Sequence, residues 1–153
     1  MPNTPAQIRS GMSVWIASPR VPKHALTTCK NILKTLGTDI YVEDEKFLDM
    51  ATAVSASGPA YVFSFIEALI DAGVYIGLSR DMSRKLVLQT VAGSTELIEK
   101  TGRHPADLRD VVTSPGGTTA EALMALEHGG FHGIILDAVA AAYNKSKTLG
   151  ESK

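Results

Sequence analysis

Residues 113–119 read TSPGGTT and run directly into AEALMALE, an apolar pattern with helix period. Gly116 and Gly117 let the backbone turn sharply or approach another group closely. The helix that follows opens with amide hydrogens that no earlier turn satisfies, and its dipole places roughly +0.5 charge there. A carboxylate or a phosphate suits such an end. Ser114, Thr118 and Thr119 add hydroxyl donors, and a charge-assisted hydrogen bond contributes roughly 1.5–3 kcal/mol. A second reading fits the same residues: Ser114 or Thr118 caps the helix, and the glycines form a hinge. No lysine follows the glycines, which argues against a phosphate loop of the Walker type.

SASGPAY, residues 55–61, has the same composition: two serines and a glycine before a proline at a helix start. Alone it reads as a cap. Two glycine-containing helix starts in one helical region point toward a shared site.

The other reactive residues read as structural. His128 and His132 have zinc-ligand spacing, but Gly129 and Gly130 lie between them and no cysteine or third histidine is close. No metal site is expected. Cys29 falls on the apolar face of a predicted helix and is expected in the core. Trp15 is expected in the core of a strand. His24 and His104 read as surface positions near helix starts. Glu67 and Asp71 are expected on a solvated stripe or at an interface.

The elements that must position these residues fall into two parts. GMSVWIAS reads as a strand, VPKHALTTCKNILKTLG as a helix with Pro22 at its first position, and TDIYVED as a second strand. Residues 1–43 are therefore a loop–β–α–β piece of an α/β sheet, too small to bury a sheet on both faces. From Asp44 onward every segment has helix period. Asp44 is expected to cap EKFLDMATAVS, with Phe47, Leu48, Ala51 and Val54 buried. Ser57 and Pro59 open a long helix through AYVFSFIEALIDAGVYIG. Ser79 caps the next helix, which Gly102 ends. A short helix begins at Pro105, and two more follow over TTAEALMALEH and FHGIILDAVAAAYNKSKTLG. The long helix is apolar almost all round, which favours a surface shared with a second subunit over the centre of a monomeric bundle.

The 153 residues are 44% hydrophobic and 20% charged, ordinary for a soluble globular chain. A net charge of −1 without a basic run argues against nucleic acid or an anionic membrane as partner. Glu67 and Asp71 interrupt the longest apolar stretch, which favours a buried helix over a membrane span. A single cysteine and the absence of an apolar leader fit a reducing, cytoplasmic setting.

MPNTPA, SGPAYVF and HPADLRDVVTSPGGTTAEALMALEHGGF resemble, in order and spacing, the motifs of the pyrroline-5-carboxylate reductases, and the resemblance covers essentially the whole chain. It implies a mainly α fold: a helical dimerisation and substrate-binding domain at 44–153, preceded at 1–43 by the partial β-α-β remnant of a Rossmann-type domain. The family's first domain opens with a G-x-G-x-x-G turn that this sequence lacks, so the resemblance implies that Met1 is internal and the chain a fragment. The implied reaction is reduction of 1-pyrroline-5-carboxylate to L-proline by NADPH or NADH. Ser114, Gly116, Gly117, Thr118 and Thr119 would hold the substrate, with the Thr119 hydroxyl reaching the ring nitrogen as the catalytic group. Glu45 would stabilise the product's positive charge, and Pro2, Asn3 and Val111 would face the cofactor. The implied partner is a second copy of the chain, with larger rings built from such dimers.

Two departures stand out: Val111 replaces a residue often polar in the family, and Ala56 one commonly glycine. The alternatives are a truncated, inactive oligomerisation module of the same family, or a related imine or β-hydroxyacid reductase.

Overall fold

A computed structural model describes residues 1–151 of the chain. Strand β1 (Gly11–Trp15), helix α1 (Lys23–Lys34) and strand β2 (Gly37–Tyr41) form one pair of neighbouring parallel strands joined by a helix. Parallel strands need such a crossover. The register runs from Gly11 opposite Gly37 to Trp15 opposite Tyr41. Gly37 has φ 137°, and a Cβ there would lie 2.1 Å from the Gly11 carbonyl oxygen, so only glycine lets the strands start side by side. The N-terminal segment, expected as a loop, contains a 3₁₀ turn over Thr4–Ile8, and Pro2 forms an antiparallel bridge with Ser13.

Two strands offer little surface, and this changes two expectations. Cys29, expected in the core, is exposed on α1. Trp15 is half-buried: its indole N–H donates to Asp39 Oδ2 at 3.0 Å, and its ring meets Tyr41 edge-on at 4.9 Å. Pro22 stands just before α1 as its N-cap rather than inside it.

The helical part begins with α2 (Lys46–Ala51), a π-turn (Thr52–Ala56) and α3 (Gly58–Tyr75). Asp44, expected as the cap of α2, stands one residue before its N-cap Glu45, and its carboxylate still accepts from the Lys46 amide at 2.9 Å. The long helix α3 starts at Gly58, between Ser57 and Pro59 as expected, but without a clean break: Ser57 keeps right-handed helical angles, and the helical path runs on from Lys46 to Tyr75. The burial phase differs too. Phe47 and Val54 are exposed, Leu48 and Ala51 are half-buried, and Ala53 is the residue that disappears from solvent. The π-turn inserts a residue and so moves Val54 off the inward face.

The remaining helices are α4 (Arg80–Thr101), α5 (Pro105–Val111), α6 (Thr118–His128) and α7 (Phe131–Glu151). Ser79 Oγ accepts from the Met82 amide at 3.2 Å, and left-handed Gly102 ends α4, both as expected. His104, expected merely at the surface, caps α5: its Nδ1 accepts from the Ala106 amide at 3.2 Å.

The chain divides into two compact units. Met1–Val62, with α7 from Ile135 onward, forms the first, where Ser146 Oγ donates to Asp49 Oδ1 at 2.6 Å and ties α7 to α2. Phe63–Ile134 forms the second. There α3 and α4 touch through small residues. Ser83 Oγ donates to the Ile70 carbonyl at 2.8 Å, and Arg80 pairs with Asp71 at 2.8 Å across the exposed edge. By length and composition alone, the helical run Lys46–Tyr75 is apolar enough to cross a membrane, an 18-residue stretch of it having mean hydropathy 1.4. Among the described residues, the buried apolar side chains are Val14 and Ala53, whereas Tyr75 is 91% exposed and Phe63 62%.

A Cβ at Gly73 would lie 2.1 Å from Ser83 Oγ and 3.0 Å from its Cβ. Gly73→Ala should therefore lower stability by about 1–3 kcal/mol through overpacking. Gly93→Ala, whose Cβ meets nothing closer than 4.0 Å, should not lower it. Urea denaturation of the two variants checks the contrast.

Candidate functional site

The start of α6 is built by a tight turn. Gly117 N–H donates to the Ser114 carbonyl at 3.0 Å, and Gly116 between them has φ 66°. Proline at the second position and glycine with positive φ at the third fit a type II turn, which gives TSPGG a conformational reason. Gly117 is extended, at φ −84° and ψ 167°, and is the N-cap of α6. A Cβ on it would lie 2.3 Å from Ser114 Oγ, so its missing side chain lets Ser114 close over the turn.

That N-cap carries no side-chain oxygen, and no side chain among the described residues caps α6. The capping alternative is therefore not the one adopted. The first intrahelical bond runs from the Glu121 amide to the Gly117 carbonyl at 3.3 Å. The amides of Thr118, Thr119 and Ala120 come before it and are left to an outside acceptor. Thr118 is exposed and Thr119 half-buried, and neither hydroxyl makes a hydrogen bond among the described residues. Thr113, by contrast, is spent on the end of α5, donating to the Arg109 carbonyl at 2.7 Å. The exposed carboxylate of Glu121 in the first turn offsets part of the positive dipole field. Attraction of an anion to this end therefore rests on directed N–H donors more than on net charge. Val111, the last residue of α5, is 69% exposed and offers only apolar surface.

The remaining candidates lie in the first unit. Pro2 is exposed. Asn3 is occupied: its Oδ1 accepts from the Met12 amide at 2.9 Å, and its Nδ2 donates to the Ser55 carbonyl at 3.2 Å and to Ser55 Oγ at 3.4 Å. Its carboxamide thus shapes the loop rather than waiting for a ligand. Glu45 is exposed at the N-cap of α2 and caps nothing itself. Beside it, Asp44 is held below the usual carboxylate pKa, first by the Lys46 ammonium on its side chain and then by the Lys46 amide. A hollow of about 650 Å³ lined by Ala6, Gln7, Arg9, Lys34, Thr35 and Leu36 contains none of the candidates and lies where the small sheet and α1 are uncovered.

Sequence reasoning missed Ser55 and Tyr61. Tyr61 donates its hydroxyl to the Ala53 carbonyl at 3.1 Å. The signal was Pro59, which removes the N–H that Ser55, four residues earlier, would have used.

Residues 45–149 match the family described as pyrroline-5-carboxylate reductase dimerisation. A pyrroline-5-carboxylate reductase of Synechocystis sp. is 48% identical over 151 residues, 99% of this chain and 56% of that protein. One from Glycine max is 43% identical over 149 residues, 97% of this chain and 54% of that protein. The crystal structure of the Plasmodium falciparum pyrroline carboxylate reductase with NADP bound superposes with a TM-score of 0.94 at 43% identity, covering 98% of this chain and 61% of that one. A pyrroline-5-carboxylate reductase from Coxiella burnetii gives 0.91 at 37%, covering 97% of this chain and 55% of that one. The chain spans about half the length of the curated relatives it matches.

Because the Asp44 pKa is lowered in the folded chain, its contribution to the start of α2 is present above the ordinary carboxylate range and is lost as pH falls through the lowered value. Lys46→Ala removes the larger cause and should raise that pKa toward the ordinary value, leaving the backbone bond as the residual cause. Carboxyl NMR titration of the two proteins reads the difference.

Proposed function

The chain belongs to the pyrroline-5-carboxylate reductase family, and from that membership we propose that it supplies the substrate-binding and subunit-contact part of an enzyme reducing 1-pyrroline-5-carboxylate to L-proline. The observation that carries the proposal is the open start of α6: three amides without a cap, beside a threonine hydroxyl without a partner. The substrate is a small ring with one carboxylate and one C=N bond. Its carboxylate fits the free amides of Thr118 and Thr119, directly after Gly117, where backbone donors are fixed in advance and need no reorganisation.

The nitrogen needs a donor as the C=N bond is reduced, because the imine becomes a basic amine. The Thr119 hydroxyl, one residue into the helix, serves it. Ser114 and Gly116 hold the turn, and Thr118 adds an exposed hydroxyl at its rim. Glu45 supplies the negative charge that stabilises the protonated product.

NADPH or NADH is the hydride source in this reading. The sequence carries no glycine-rich strand-to-helix turn for the cofactor's diphosphate, so the residues present do not fit the whole dinucleotide. The loop of Pro2 and Asn3 borders its nicotinamide end, with the Asn3 carboxamide holding that loop in place, and Val111 faces the cofactor from elsewhere.

The exposed apolar face of α3 supports a homodimer as the partner state, and larger rings are assembled from it. The division into 1–43 and 44–153 separates the dinucleotide-domain remnant from the dimerising part. A single cysteine supports a cytoplasmic setting. The match of residues 45–149 to a dimerisation family supports a second reading, an oligomerisation module without turnover of its own.

In a reductase that carries this segment together with a dinucleotide domain, Thr119→Ala should lower turnover about tenfold or more, the loss of one hydrogen bond of about 1.4 kcal/mol. Unchanged steady-state turnover would remove Thr119 from the mechanism. For the 153-residue chain alone, sedimentation should show a dimer. NADPH oxidation by that chain would eliminate the second reading.

A further inference from the structure

Three backbone carbonyls decide the joint between α2 and α3. In an ordinary α-helix the Ser57 amide would donate to the Ala53 carbonyl, four residues back. It donates instead to the Thr52 carbonyl, five back, at 2.9 Å. This releases the Ala53 carbonyl, and Ala53 is only 1% exposed, so water does not replace the lost donor. A buried carbonyl left without a donor costs about 1–3 kcal/mol. The Tyr61 hydroxyl takes it, at 3.1 Å.

The Ser55 carbonyl behaves differently. Its partner in an α-register would be the amide of residue 59, which is proline and has none. Its partner in a π-register would be the Ala60 amide, which is engaged with the Ser57 carbonyl at 3.0 Å. The carboxamide of Asn3 serves Ser55, and the need for it is the same in both registers. Asn3 therefore anchors the joint without selecting its register. Tyr61 is the group that donates to the carbonyl which the π-register has released.

We propose that Tyr61 is a positioning residue whose hydroxyl holds Thr52–Ala56 in the π-register and thereby sets the rotation of α2, with Glu45 at its start, relative to the Pro59–Tyr61 turn. One residue inserted into a helix rotates what precedes it by roughly 100°. Asp49 lies one turn after Glu45 on the same face of α2. The bond from Ser146 on α7 to Asp49, at 2.6 Å, is a marker of that rotation. The consequence for Glu45 as the carboxylate facing the product rests on the function proposed above, whereas the register itself does not.

The test uses the whole chain and no substrate, so its failure is separable from failure of the reductase reading. In the wild type, NMR coupling across the hydrogen bond should link the Ser57 nitrogen to the Thr52 carbonyl carbon. In Tyr61→Phe, which keeps the ring, the coupling should move to the Ala53 carbonyl carbon. In Asn3→Asp, which keeps the acceptor for Met12 and loses the donor to Ser55, it should stay on Thr52. Ser146→Ala should lower the melting temperature of the wild type and leave that of Tyr61→Phe unmoved. Retention of the Thr52 coupling in Tyr61→Phe would overturn the proposal. So would loss of both couplings, because the hydroxyl would then be a general brace, and so would an undiminished effect of Ser146→Ala.

Discussion

Apolar surface without cover is the constraint on which this chain's structure depends. Burying a large apolar side chain fully contributes about 1.5–3 kcal/mol, yet among the described residues only Val14 and Ala53 are buried apolar side chains. Val62, Phe63, Phe65, Tyr75 and Ile76 line α3 and the turn after it, all open to solvent. The strand residues Ile40 and Tyr41 are likewise uncovered. With so many apolar faces wet, internal burial among the described residues offsets less of the conformational entropy of ordering these elements than a closed core would. The region matched to the dimerisation family begins at residue 45, where the helical part begins. Association that covered those faces would add the burial that the chain's own elements do not supply, and stability gained in that way depends on concentration.

Local chemistry was the part most visible in the sequence. Ser79 and Gly102 bound α4 as their residue types require, and Asp44 serves the first amide of α2 through its carboxylate. The β-α-β order was visible because GMSVW and GTDIY are short, β-branched or aromatic runs on either side of a helix-period segment. Burial was less visible. Cys29 and Phe47 have the right periodicity for a core, but periodicity says only which face is apolar, not whether anything covers it. The π-turn was missed because a serine, a glycine and a proline together are the usual marks of a helix start. A helix that continues through them needs donors from distant residues, and Asn3 lies 52 positions from Ser55. No local pattern records such a bond.

The candidate site shows the same split. TSPGG was legible as a turn, since proline and glycine fall where a type II turn needs them, and Gly116 has the positive φ that follows. Whether a hydroxyl would cap α6 was open, because Ser114 and Thr118 both have the right chemistry. Geometry decides it: Gly117 occupies the capping position, and Ser114 Oγ is packed against Gly117 instead of reaching the helix amides. Asn3 carries polar groups suited to a ligand, but the fold had already used them.

The two serine–glycine–proline stretches differ in where the proline falls, and this separates an open helix end from a closed one. Pro59 lies inside a continuing helix, so it deprives the carbonyl four residues earlier of its donor. The joint is left with excess acceptors, and the chain supplies its own donors from Asn3 and Tyr61. Pro115 lies two residues before the N-cap of α6, in a turn, where no helical carbonyl waits for its missing N–H. The excess at α6 is of donors, and a glycine at the cap brings no side-chain oxygen to meet them. A joint with surplus acceptors closes on side chains of its own protein. A start with surplus donors and no cap remains available to an anion. Composition is nearly the same in the two stretches; the offset between proline and helix start makes one a brace and the other a binding end.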